Sequence, residues 1–288
     1  MAHQYPYQEQ AGRRSQGQRA RPAWEWDLEP HMRHPFAGTL LLRRRELLGR
    51  PVLLATFALQ FAVLAGVDLL ARGGSDPLGA GGDLVLAGLR ATVVPGGLLF
   101  AVLAAEVVGA EFAWSTERVL LARDPRRSRF VGLQLAITLG LALGWWASQC
   151  LLAIVAGYLE QRLIGPHPGL PLGAPADRAA LAAALPATAA YGLLGAAFAL
   201  SFRGAVAGVV AVVAYGALGE LLLAPQSDAL RNWTLATAAL RLAGGDTAQV
   251  LGVAAPIPSN RALGVLAGAV LIALLVAFLG YADREIRG

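Results

Sequence analysis

Residues 105–132 read AEVVGAEFAWSTERVLLARDPRRSRFVG, and they join two long apolar runs. The stretch carries three glutamates, one aspartate and five arginines in a chain otherwise dominated by Leu, Ala, Val and Gly. A run of apolar residues long enough to cross a bilayer, then dense mixed charge, then a second apolar run, is the pattern of two membrane spans joined at the water interface. Within the stretch, Glu106 and Glu111 close the first run and residues 116–123 read as helix, with Val119, Leu120 and Leu121 as an apolar patch. Asp124-Pro125 stops that helix, and Arg126, Arg127 and Arg129 flank the next span.

The composition agrees. The chain has 288 residues, 56% hydrophobic and 15% charged, and its mean hydropathy is +0.53. A soluble domain of this size carries about a quarter charged residues, so the fold class expected is an all-α integral membrane protein. All 24 basic residues are arginine. Without lysine there is no Gly-Lys-Ser/Thr phosphate loop and no Schiff-base chemistry, so the chain carries no ATPase site of that kind. The single cysteine, Cys150, rules out an internal disulfide and reads as a buried thiol.

Residues 1–35 lack apolar periodicity and are expected to form a disordered cytoplasmic tail. They also lack the apolar core of a signal peptide. Trp24 and Trp26 could dock this tail on the membrane or on a partner. Residues 36–50, FAGTLLLRRRELLGR, are too short and charged to span and read as an interfacial amphipathic helix. Six stretches in 51–288 are apolar over roughly the 20 residues a spanning helix needs: 52–70, 84–105, 130–156, 179–202, 204–224 and 262–282. The fourth and fifth run together except at Arg203-Gly204, which marks a tight hairpin. Of the 24 arginines, 17 fall on the side of both termini and the 106–129 loop, and six on the other. The termini and that loop are therefore expected in the cytoplasm. The bias also explains a pI near 10 without nucleic acid as a partner. The outer loop 225–261 contains SDALRNWTLATAALRLAGGD, with Ser227 or Asp228 as N-cap and Gly244 as stop. It reads as one short helix lying on or dipping into the outer surface.

Inside the spans three features stand out. Asp68, Arg90 and Glu220 are charges at membrane depth, with Arg90 roughly 10 Å and Glu220 roughly 6 Å from their outer ends. Snorkelling is expected for Asp68 and Glu220 and ion pairing for Arg90; a gate or substrate-contact cluster is the functional alternative. Pro95, Gly96 and Gly97 form a candidate hinge, and Pro186 is a second helix breaker. The pairs Gly140/Gly144 and Gly204/Gly208 are expected to serve internal packing. Trp145 and Trp146 suit the outer aromatic belt. His3, His31, His34 and His167 all lie outside the spans, and neither H-E-x-x-H nor G-x-S-x-G occurs. No metal site and no hydrolase is expected.

The charged segment resembles the signature of the ABC-2 family of ABC-transporter permeases. That family's first cytoplasmic loop reads approximately Glu, three residues, Gly-Thr, a Leu-Leu pair, then Pro and Arg. Glu111 matches the acid, Thr116 the threonine, Leu120 and Leu121 the pair, and Pro125 with Arg126 or Arg127 the end. Ser115 stands where the glycine is usual, and one extra residue precedes Pro125. The resemblance implies a six-helix, type V exporter-like transmembrane fold in a prokaryotic inner or plasma membrane. It implies a permease subunit, working as a dimer with a second copy and two copies of an ATP-binding subunit that holds ATP and Mg. The loop would then be the coupling helix, with Glu111, Thr116, Glu117, Leu120, Leu121 and Arg123 docking on that subunit, and export the direction. The alternatives are a non-transporting membrane scaffold or assembly protein and, behind it, a channel or ion-coupled transporter. The last is disfavoured because the acids sit near span ends and the halves show no inverted repeat.

Overall fold

Within a bilayer no water satisfies backbone N–H and C=O groups, so an apolar segment of this length winds into helix. A computed structural model of the chain describes residues 55–63, 84–113, 117–118, 121, 127–164, 175–223, 226–244 and 257–282. Of residues 84–92 it gives the backbone alone. These residues belong to the compact unit Leu47–Gly288. The expected tail, the interfacial helix, Asp68 and most of the first span lie outside them.

The described residues are helical, without strands. A short helical stretch covers 55–63. The larger elements are α1 (Leu84–Ala113), α2 (Arg127–Ile164), α3 (Pro175–Phe202), α4 (Ala205–Ala214), α5 (Asp228–Arg231), α6 (Leu235–Gly244) and α7 (Ser259–Ala282). Between α4 and α5, residues Tyr215–Leu223 continue α4 as a π-helix. Five of these are long and apolar enough to cross a membrane: Val93–Ala113, Arg127–Leu152, Leu181–Phe202, Ala205–Leu223 and Ser259–Tyr281. The helix of the second expected span begins at Leu84, as expected, and extends past 105 into the charged segment. It continues through Glu106 and Glu111 to Ala113, and Glu111 is buried.

Helix α1 is the centre of the bundle, with 72% of its span buried against 22% for the α4 span and 28% for α7. It packs on α3, α4, α2 and α6. Its seam with α3 is closed by small residues. A Cβ at Gly195 would strike the backbone of Ala101, one at Gly192 the ring of Phe100, and one at Gly97 the ring of Tyr191. Pro95 does not end α1, and Pro186 does not end α3. At the candidate hinge, Gln149 lies against Gly96 and Tyr191 against Gly97. Glycine here allows close approach.

The hairpin forms where the sequence predicts it. Helix α3 ends at Phe202 and α4 begins at Ala205, with Arg203 in the left-handed region at φ 52°. Gly208 lets α4 lie on α3, since a Cβ there would sit 2.9 Å from Ala199 Cα. Gly140 and Gly144 behave otherwise: a Cβ at either would meet nothing within 4 Å. They face outward with Leu139 and Leu143 and do not serve internal packing. Exposed Val206, Val210, Val213, Leu271, Ile272 and Leu275 give α4 and α7 faces suited to lipid.

Residues 226–244, expected in the outer loop, form two helices where one was expected. The short α5 ends at Arg231, and α6 starts anew after Thr234, whose Oγ1 accepts the Thr237 N–H at 3.2 Å and caps it. Leu235, Ala236, Ala238, Ala239, Leu240 and Ala243 of α6 are all buried. The helix packs into the bundle against α7, α3 and α1.

Candidate functional site

Two constellations gather the polar chemistry, one at the charged segment and one at membrane depth. At the first, α1 ends in Phe112, α2 begins near Phe130 and α7 ends at Tyr281. The Tyr281 ring stacks on Phe130 at 5.4 Å between centroids and lies 6.1 Å from Phe112. Arg203, at the α3–α4 turn, holds its guanidinium carbon 5.3 Å from the Tyr281 ring centroid. One of its nitrogens, Nη2, donates to the Tyr281 carbonyl at 3.4 Å. On the other edge, the Tyr281 hydroxyl donates to Glu117 Oε1. Tyr281 thereby joins the charged segment, the α3–α4 turn and the last span.

The orientation of the segment follows. Glu117 is half-buried and engaged by Tyr281, and Leu121 packs against the core, while Arg118 between them is exposed. Residues four apart share a helix face, so Glu117 and Leu121 form the side turned to the bundle. Glu111 is buried at the end of α1. Thr116, Leu120 and Arg123 lie outside the described residues.

The second constellation centres on Glu220, 1% exposed. It does not snorkel. The Tyr191 hydroxyl, from α3, reaches its Oε2 at 2.9 Å and Oε1 at 3.1 Å. The Tyr215 hydroxyl donates to Oε1 at 3.0 Å, and the Ala236 backbone N–H, in the first turn of α6, donates to Oε1 at 3.1 Å. Three donors answer one carboxyl group, which is what burial of such a group at lipid depth requires. The expected companions Asp68 and Arg90 have side chains outside the described residues.

Next to it runs a neutral polar layer. Trp145 is buried and its Nε1 donates to Gly96 O at 3.1 Å, while Trp146 Nε1 donates to Leu181 O at 2.8 Å. This pair sits between helices, each indole N–H on a backbone carbonyl inside the bundle. The Ser148 hydroxyl lies 2.6 Å from Trp145 O and 3.3 Å from the Gln60 amide. Thr188 repeats the arrangement, 2.9 Å from Ala184 O and 3.3 Å from the Gln149 amide. Each hydroxyl donates, to its backbone carbonyl at the shorter distance and toward the glutamine Oε1 at the longer.

The sequence reading singled out Glu111, Glu117 and Leu121 for docking on a partner, whereas Glu111 is buried and the other two turn to the bundle; it expected Glu220 to snorkel, and it did not single out Tyr191, Tyr215 and Tyr281. A signal was available: a tyrosine inside an apolar span needs a partner for its hydroxyl. Among the described residues no group of three or more His, Cys, Asp or Glu could hold a metal ion. Comparison with protein-family models, curated proteins and solved structures gives no match. The fold itself defines the class, a multi-pass helical membrane protein.

Proposed function

We propose that this chain is the membrane-spanning permease subunit of an ABC transporter of the ABC-2 kind, an exporter whose ATP is hydrolysed by a separate subunit. The reading rests on the resemblance of residues 111–127. It is supported by the anchoring of Glu117 to Tyr281 and of Leu121 to the core. A loop that only connects two spans needs no such anchoring, whereas one that transmits force into the bundle does. In this reading the roles divide by face. Glu117 and Leu121 tie the segment to α7, to the Arg203 turn and to the core. Arg118, with Thr116, Leu120 and Arg123, meets the ATP-binding subunit, which carries ATP and Mg. The assembly is two permease copies with two ATP-binding subunits in a prokaryotic cell membrane.

The test is a pull-down of the tagged chain from native membranes in mild detergent, with mass spectrometry of what co-purifies. An ABC ATPase at near-stoichiometric yield, falling at least several-fold with Arg118→Glu, is the expected result. Arg118 is exposed, so this charge reversal leaves the bundle intact. A clean preparation without an ATPase would remove the transport reading and leave that of a scaffold.

A further inference from the structure

The π-helix Tyr215–Leu223 is nine residues long, whereas π winding normally occurs as a single turn within an α-helix. Nothing local favours it. The segment reads YGALGELLL, and its leucines and alanine are strong α-formers. The reason lies in which residues face the bundle. Across α4 and its π continuation the buried positions are Gly208, Val212, Gly216 and Glu220, each four residues after the last. An α-helix turns about 100° per residue, so a four-residue step overshoots one turn by about 40°. Three such steps would carry residue 220 about 120° away from Gly208 and out toward lipid. Gly219 and Leu223 would take its place on the inner face. Winding with i→i+5 bonds returns Glu220 to the bundle. It also sets Tyr215, five residues earlier, against the same carboxyl group at 3.0 Å.

We propose that Glu220 is the pin that holds the outer half of this span in π register. With Tyr191, Tyr215 and the Ala236 N–H engaged, the segment is π. Without that carboxyl group it rewinds to α and turns Leu223 inward. The balance favours π only while the carboxyl group must be buried among donors, because an unpaired one at lipid depth is the costlier alternative. The switch extends to α6. That helix has 10 residues, fewer than an isolated helix needs to persist, and the Glu220–Ala236 bond is one of its ties to the span. Span winding and α6 docking are therefore two readings of one element. This holds whether or not an ATP-binding subunit is the partner.

The experiment uses the full chain in lipid nanodiscs, in a Cys150→Ala background, with a nitroxide at position 221 or 223. Collisional access of oxygen is read by electron paramagnetic resonance. Leu221 and Leu223 are both exposed, at 43% and 55%, and residue 221 stays outward in either winding. Glu220→Leu is expected to lower oxygen access at 223 several-fold and leave 221 unchanged. Should the leucine variant not insert, Glu220→Ala removes the same carboxyl group with a smaller side chain, and the same shift is expected. A change at both positions, or at neither, overturns the proposal.

Discussion

Arg203 has a positive φ, 52°, which costs a residue with a Cβ about 1–2 kcal/mol. A helix C-terminus usually places glycine there, and Gly204, the next residue, is extended at φ −174°. What holds Arg203 in place is Tyr281. Its guanidinium lies over the ring and donates to the carbonyl. Arg203→Ala keeps the strained backbone and loses both contacts, so a loss of about 1–2 kcal/mol is expected from the cation–π and hydrogen-bond terms. Arg203→Gly loses the same contacts but relieves the strain. The glycine variant should therefore be the more stable of the two by about 1 kcal/mol. Unfolding by SDS titration in mixed micelles would give the order, and a glycine variant no better than alanine would mean the turn carries no strain. Tyr281→Phe, at the same junction, keeps the ring stacking and removes the donor to Glu117. Faster hydrogen exchange around residues 117–121, with the spans unchanged, is the expected signature.

Helix seams differ in how they use glycine, and a matched pair of substitutions separates the two uses. Gly195→Ala drives a Cβ into the Ala101 backbone. It should cost about 1–3 kcal/mol, the range for overpacking a close contact. Gly140→Ala meets open space, and alanine exceeds glycine in helix propensity by up to about 1 kcal/mol, so it should be neutral or stabilising. Equal effects on SDS unfolding would contradict the packing described. The sequence could not tell these glycines apart, because a spacing of four says which residues share a face but not what lies opposite. The apolar runs made the spans legible, and the 46-residue run broken at Arg203-Gly204 located the hairpin. Span ends were less legible: Glu111 looks like a boundary by charge but is buried by its neighbours. The winding of Tyr215–Leu223 was invisible for a similar reason, since tertiary burial of Glu220 overrides local α preference. At α6 the cap is testable alone. Thr234→Ala removes the acceptor for the Thr237 N–H and should cost about 0.5–2 kcal/mol. Faster amide exchange in 235–238 is expected, with α3 unaffected.

On the scale of the whole molecule, the helices fix which groups share a side. Helix α1 leads into the charged segment, α3 returns to the Arg203 turn, and α7 comes back to Tyr281. The contacts of Tyr281 with Glu117 and Arg203 bring all three together at one end. The opposite end holds Trp233, 66% exposed, with the Arg261 guanidinium 5.2 Å from its ring. Arginine distribution adds an expected direction to this geometry: five of the 24 arginines lie in residues 106–129 and Arg203 shares their end, and positive loops stay in the cytoplasm. Cysteine placed at 118 or 233 in a Cys150→Ala background tests both statements with a membrane-impermeant maleimide. Both sites are exposed, so their reactivity reports sidedness and not burial. Position 233 should label in intact cells, or in spheroplasts if an outer membrane is present, and position 118 only after permeabilisation. Labelling of both from outside would break the pairing of ends that the packing requires. Labelling of 118 alone would preserve the bundle and invert it, placing the charged segment where no cytoplasmic ATPase could reach it.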